Sequence, residues 1–187
     1  MKRNFIIGLF VLLIVIFSTA FLLYRIVVIN TKYPSPEIIK KQMNEEVVVG
    51  NGAIIKVTES TMYSIKETMK LFPEYDFQNE NMHYSNDEAY MYLIKIGIDN
   101  AAGIRMEEDV CNFILQSGAW ANGWDMELYS IINEKKLSEE GKEIVYLPFF
   151  LFNSQFSKNE WQKIRNREFT LVTSVYPQKT VIELTEK

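Results

Sequence analysis

Twenty residues without a charge, Phe5 to Tyr24, follow Lys2 and Arg3 and stop at Arg25. No other stretch constrains the chain so tightly, because at about 1.5 Å per helical residue such a run crosses the roughly 30 Å hydrocarbon core of a bilayer. The apolar part of a cleavable signal is usually shorter, about 7 to 15 residues. Residues 5–24 are therefore expected to be a retained anchor, with the membrane as their partner. The competing expectation is a signal cut after Ala20, since Ser18 and Ala20 are small residues at the spacings signal peptidase inspects. That cut would leave Phe21-Leu22-Leu23-Tyr24 as an exposed apolar end. A lipid anchor needs a cysteine just after the apolar stretch, and the single cysteine is Cys111, so the anchor is expected to be protein.

Lys2, Arg3 and the terminal amine favour a cytoplasmic N-terminus, which places everything after about residue 30 outside the cytoplasm. Arg25, Lys32, Lys40 and Lys41 lie on the other flank, but long C-terminal domains translocate largely regardless of such charges. Tyr33 to Lys187 is 155 residues, one domain with a core of its own. Sixteen of the chain's 20 Lys and Arg and all 24 Asp and Glu lie beyond residue 32, giving that part a formal charge of −8. Such a balance opposes binding to nucleic acid or to anionic headgroups. One cysteine allows no internal disulfide, so the domain must stand on its hydrophobic core. Cys111, in Val110-Cys111-Asn112-Phe113, is expected as a small buried residue of a strand. No N-x-Ser/Thr sequon occurs. A bare anchor with so few cysteines suits a Gram-positive cell surface.

Along the chain, residues 1–30 are expected to form the cytoplasmic end and transmembrane helix, 31–45 a spacer stiffened by Pro34 and Pro36, and 46–187 the folded domain. Glu46–Val49 and Ile54–Tyr63 read as strands joined through Gly50-Asn51-Gly52. Ser64-Ile65-Lys66-Glu67 has the form of a capping box, with Pro73 as the stop, and predicts a short helix. Glu74–Glu88 reads as a polar loop. From Tyr90 to Ile98 alternate residues Tyr90, Tyr92, Ile94, Ile96 and Ile98 are apolar, the mark of a strand with one buried face. Val110–Ser117 predicts another strand, Asn122-Gly123 a turn, and Met126–Ile132 a further strand. A charged turn, Ser138 to Lys142, leads into Ile144–Leu147, where Pro148 ends the pairing or marks a sheet edge. Ser157-Lys158-Asn159-Glu160 is a second capping box, and Glu168–Tyr176 and Val181–Leu184 close the chain as strands about a turn at Pro177-Gln178-Lys179. The expected fold is mainly β: seven to eight short strands in an antiparallel sandwich with one or two short helices.

The Val47-Val48-Val49-Gly50 entry, the long strand ending Ile98-Asp99-Asn100, the passage from Leu137–Gly141 into Leu147-Pro148-Phe149, and Leu171-Val172-Thr173-Ser174-Val175-Tyr176-Pro177, all behind an anchor, resemble an uncharacterised family. It is that of membrane-anchored, immunoglobulin-like extracytoplasmic domains of unknown function in Gram-positive bacteria. The resemblance covers about residues 44 to 185 and implies an immunoglobulin-like sandwich and a cell-surface address. It brings no catalytic or ligand residues with it, and related lipid-anchored domains carry a cysteine that is absent here.

Catalytic chemistry finds little footing. His83, the only histidine, sits with Glu80 in a polar stretch, whereas catalytic zinc usually takes three protein ligands and structural zinc four. Asp76, Glu80 and Asp87 follow no calcium-loop pattern, no Gly-x-Ser-x-Gly elbow is present, and Gly50-Asn51-Gly52 lacks the lysine and spacing of a phosphate loop. No metal, cofactor or catalytic residue is therefore expected. Two aromatic groups remain as a candidate binding surface: Trp120 and Trp124 with Tyr129, and Phe149, Phe150 and Phe152 in the run Leu147 to Phe152. Each has a plainer alternative, since the tryptophans can close the end of a sandwich core and the phenylalanines can form a buried crossover between sheets. The leading expectation is a non-catalytic binding or accessory module with a cell-surface protein partner. A cell-wall carbohydrate-binding module using Trp120 and Trp124 comes second, and a cryptic hydrolase third.

Overall fold

The computed structural model describes residues 2–50, 52–75, 88–99, 110–133 and 142–185. His83, Asp76, Glu80 and Asp87, most of the expected loop 74–88, and the charged turn before Lys142 lie outside the described residues. The chain divides into two units, Met1–Glu37 and Ile38–Lys187.

The first unit is the helix α1 (Lys2–Lys32). Its segment Gly8–Lys32 is long and apolar enough to cross a membrane, a test that an anchor and a signal sequence pass alike. The large apolar side chains from Leu9 to Ile29 are exposed on every face of the helix. The Thr19 and Thr31 hydroxyls donate to the carbonyls of Val15 and Val27, each at 2.8 Å, and so find partners inside the helix itself.

The second unit is a two-layer β-sandwich. Nine strands lie among the described residues: β1 (Glu37–Gln42), β2 (Val47–Val49), β3 (Ala53–Ser64), β4 (Ala89–Asp99), β5 (Ile114–Ser117), β6 (Trp120–Gly123), β7 (Lys142–Phe152), β8 (Phe169–Ser174) and β9 (Gln178–Leu184). One sheet has the order β1-β9-β8-β5-β6 and the other β2-β3-β4-β7. The pairs β2–β3, β3–β4, β4–β7, β5–β6, β5–β8 and β8–β9 are antiparallel. β1 shows that part of the 31–45 stretch read as spacer is sheet; only residues 33–36 separate it from α1. The β2–β3 connection works as expected, with Gly50 and Gly52 at φ 51° and 102°, values open to glycine at no steric cost.

Alternation builds the core between the sheets. Ile94 and Ile96 are 0 % and 1 % exposed, and with Ile55, Val57, Leu147 and Phe149 they meet Leu115, Phe169, Leu171 and Ile182 from the facing sheet. Inside this core the Tyr92 hydroxyl donates to Ser60 Oγ at 3.2 Å, and Ser60 donates onward to the Thr185 carbonyl at 3.0 Å, so the buried hydroxyls also tie the layers together.

A second, smaller core lies on the opposite face of β4 and β7. Here Ala89, Met91 and Phe150 pack under two helices, α2 (Ile65–Leu71) and α3 (Met126–Ile132), with Ile65, Leu128 and Tyr75. The Ser64–Glu67 capping box that predicts α2 is present in full. α3 corrects the strand expected at 126–132. Asp125 caps it, Oδ1 accepting from the Leu128 N–H at 2.7 Å while Oδ2 takes the Tyr75 hydroxyl at 3.1 Å, and Leu128, Ile131 and Ile132 recur at helical spacing. Burial, and then the Asp125 carboxylate, push the Tyr75 hydroxyl's pKa well above its usual value, so it stays a donor.

Three further expectations are corrected. Asn122-Gly123 is not a turn but the end of β6; the tight connection is one step earlier, at Gly118, whose φ is 59°. The strand expected from Val110 begins only at Ile114. A 3-10 turn, Val110–Asn112, precedes it and buries Val110 and then Phe113, which leaves Cys111 exposed rather than buried. Finally, the phenylalanine run is no crossover between sheets and no solvent-facing patch. It is the end of β7, buried on both faces, with Phe149 at 0 % and Phe150 at 4 % exposure in the two different cores and Phe152 partly buried beside Phe150.

Pro148 does not end the pairing; it sits opposite Leu93 within β7, on the sheet's edge. The edge is capped residue by residue. Asn133 takes both the Tyr146 N–H and carbonyl at 2.8 Å, the Asp125 N–H donates to the Pro148 carbonyl at 2.7 Å, Asn122 Nδ2 reaches the Phe150 carbonyl at 2.9 Å, and Gln155 Oε1 accepts from the Phe152 N–H at 3.1 Å. Proline fits because its missing N–H falls on this outer side, where the ladder with β4 needs no donor.

Candidate functional site

The segment between β7 and β8 crosses from one sheet to the other and carries two partly buried aromatic rings, Phe156 and Trp161. It consists of a 3-10 turn, Asn153–Gln155, the short helix α4 (Lys158–Trp161), and a second 3-10 turn, Ile164–Asn166. The expected capping box is present: Ser157 Oγ receives the Glu160 N–H at 3.4 Å and donates to Glu160 Oε2 at 2.6 Å. Buried Ile164 fixes the second turn to the core.

Arg167 locks this segment onto the β5–β6 turn. Its Nε donates to Ser117 Oγ at 2.6 Å, Nη2 to the Ser117 carbonyl at 3.0 Å, and Nη1 to Glu160 Oε1 at 2.9 Å. Gly118 is needed here twice, for its positive φ and because a Cβ would stand 3.3 Å from Arg167 Nη2. Hydrogen bonds from the Ser157 hydroxyl, then from Arg167, hold the Glu160 carboxyl down to about 2, and the Ser64 hydroxyl likewise lowers Glu67. Both carboxyls are depressed on folding, so their stabilisation is complete above their ordinary pKa of 4.5 and is lost as pH falls through their lowered values, about 2 for Glu160. Melting temperatures measured across that window should fall with acid, and less steeply in Glu160→Gln; equal slopes in both proteins would contradict the assignment.

With the segment so fixed, four half-buried rings form a strip: Tyr90 against Trp161 at 5.4 Å between centroids, Trp161 against Phe156 at 5.9 Å, and Phe156 against Trp120 at 5.1 Å. Interplanar angles of 32° to 45° show that the rings lean on one another rather than lying in one plane. Trp120 also meets Phe169 edge-on, and its Nε1 donates to Gln155 at 3.3 Å. The guanidinium of Arg165 lies 5.0 Å from the Tyr90 ring and that of Arg167 lies 5.3 Å from Phe156.

Of the candidate binding residues singled out in the sequence, Trp120 alone belongs to this strip. Trp124 and Tyr129 form a separate pair, rings 4.6 Å apart, and Trp124 Nε1 donates to the Val110 carbonyl at 2.9 Å. Both pack against the main core, as does Trp120. Phe156, Trp161 and Arg165 were not singled out, and Tyr90 only as part of the expected buried face of β4. The second capping box was the available signal, because it fixes a helix whose fourth residue is Trp161.

A concavity of about 370 Å³ lies on the outer face of the four-stranded sheet, at the end away from α2 and α3, with Ile54, Gly97 and Ile144 as its apolar part and Glu46, Lys56 and Asp99 around them. Lys56 and Glu46 pair across it at 3.6 Å. Among the described residues, no group of three or more His, Cys, Asp and Glu is placed to hold a metal ion.

Comparison with known proteins adds a family but no activity. No curated protein matches the chain. Among solved structures it is similar to an uncharacterised β-sandwich protein from Clostridium difficile 630, at 10 % identity and a TM-score of 0.44, over 80 % of this chain and 97 % of that one. The profile of a domain of unknown function, DUF5028, matches residues 37–180, the whole stretch from β1 into β9. The chain belongs to the DUF5028 family.

Proposed function

We propose that this protein is a non-catalytic accessory module, held at the cell membrane by α1 with its sandwich outside the cytoplasm, and that it docks a cell-surface protein through the strip of Tyr90, Trp161, Phe156 and Trp120. The observation that carries this reading is the composition of the strip. Tyrosine, tryptophan and arginine dominate the energetic centres of protein interfaces, and here all three converge on partly exposed rings held by a rigid crossing segment. The tilt of the rings favours a protein over a sugar, because a pyranose face stacks best on one flat, open ring. The anchor reading draws on the length and exposed apolar surface of α1, and the outward orientation on Lys2 and Arg3 at its start.

A photo-crosslinking residue placed at exposed Asn159, in the full chain in its native cells, tests this. A discrete protein adduct is expected from position 159, lost when Trp161 becomes alanine, and not formed from the same probe at exposed Ile144 on the outer face of the four-stranded sheet. An adduct that survives Trp161→Ala, or none at position 159, would contradict the docking site.

A further inference from the structure

Resting on the strip as the docking site, we infer that the partner presents an acidic protein segment bearing an aromatic residue, received at the Tyr90–Arg165 end. The argument is one of charge. The sandwich is acidic overall, yet at this end Glu160 is paired with Arg167 and Glu67 is held by Ser64. Glu67 accepts from the Ser64 N–H at 2.8 Å and from its hydroxyl at 2.7 Å, and Glu160 serves Ser157 and Arg167. Apart from Arg167, the cations of this end form no ion pair among the described residues and lie at the surface. Arg165 is exposed and rests on the Tyr90 ring, and among the described residues neither it nor Lys158, Lys163 or Lys70 is in an ion pair. Arg165 and Lys70 also lie near enough to Glu67 to help depress its carboxyl, which draws α2 into the same cationic end. A guanidinium lying over a ring keeps its edge N–H groups available, so a carboxylate can take them in the ring plane while an aromatic side chain of the partner extends the strip.

The test uses the full chain in detergent micelles and three soluble probes: a random copolymer of glutamate and tyrosine, one of lysine and tyrosine, and polygalacturonate. The glutamate–tyrosine copolymer should bind, at least tenfold more tightly than the lysine–tyrosine one, and lose most of its affinity on raising salt from about 50 to 500 mM. Arg165→Glu should weaken it about tenfold, and Lys163→Glu severalfold, with the fold retained because both side chains are exposed; only Arg165→Glu should melt slightly lower, through its lost contact with Tyr90. No preference between the copolymers, or no effect of either reversal, would overturn the inference. Polygalacturonate binding as tightly as the glutamate–tyrosine copolymer would overturn it too, by giving the strip to anionic glycans. The two readings fail separately: if the adduct at position 159 requires Trp161 but survives Arg165→Glu, docking stands and the acidic partner falls.

Discussion

Phe149→Ala and Phe150→Ala are each expected to destabilise the sandwich by about 3 to 5 kcal/mol, although the two residues are neighbours on one strand and point to opposite faces. In a sheet with one wet face, only one of such a pair is costly. Here Phe149 fills the core between the sheets, and Phe150 stacks on Tyr75 at 5.9 Å beneath α2 and α3. Each truncation removes the transfer energy of a phenyl ring and leaves a cavity whose walls, strand on one side and sheet or helix on the other, collapse only in part. Urea midpoints for the two variants should drop together. A Phe150→Ala value within about 0.5 kcal/mol of the parent would show that the second core does not exist.

The second large effect is expected from replacing Trp120 and Trp124 by alanine together. Each indole is partly buried against the main core and spends its N–H inside the protein, on Gln155 and on the Val110 carbonyl. The cost of each should lie toward the lower end of the range for large aromatics, about 3 kcal/mol, and the double variant should melt far below the parent. Unchanged stability with lost retention on cell-wall material would instead promote the carbohydrate reading.

How much of this was legible in the sequence depends on how local the cause is. Both capping boxes could be read directly, because a serine and a glutamate three residues apart satisfy each other's backbone without outside help. The inner face of β4 could be read because period-two alternation survives whatever packs on it. The double burial of Leu147 to Phe152 could not, since a continuous apolar run looks the same for a crossover, a patch and a strand covered on both sides. Short apolar runs such as Met126–Ile132 are ambiguous in the same way; Asp125 before it, a good N-cap, was the overlooked signal. The strip was hidden for a different reason: Tyr90, Trp120, Phe156 and Trp161 come from β4, β6 and the crossing segment, and only sheet order and the Arg167 clamp bring them together.

The display of the sandwich outside the cytoplasm is the claim on which the function rests, and Cys111 offers a direct test. It is the only cysteine in the chain, and it is exposed on the turn before β5. A membrane-impermeant maleimide added to intact protoplasts should label the protein, with no label on Cys111→Ser. Labelling that appears only after the membrane is broken would place the sandwich inside the cell and contradict the account.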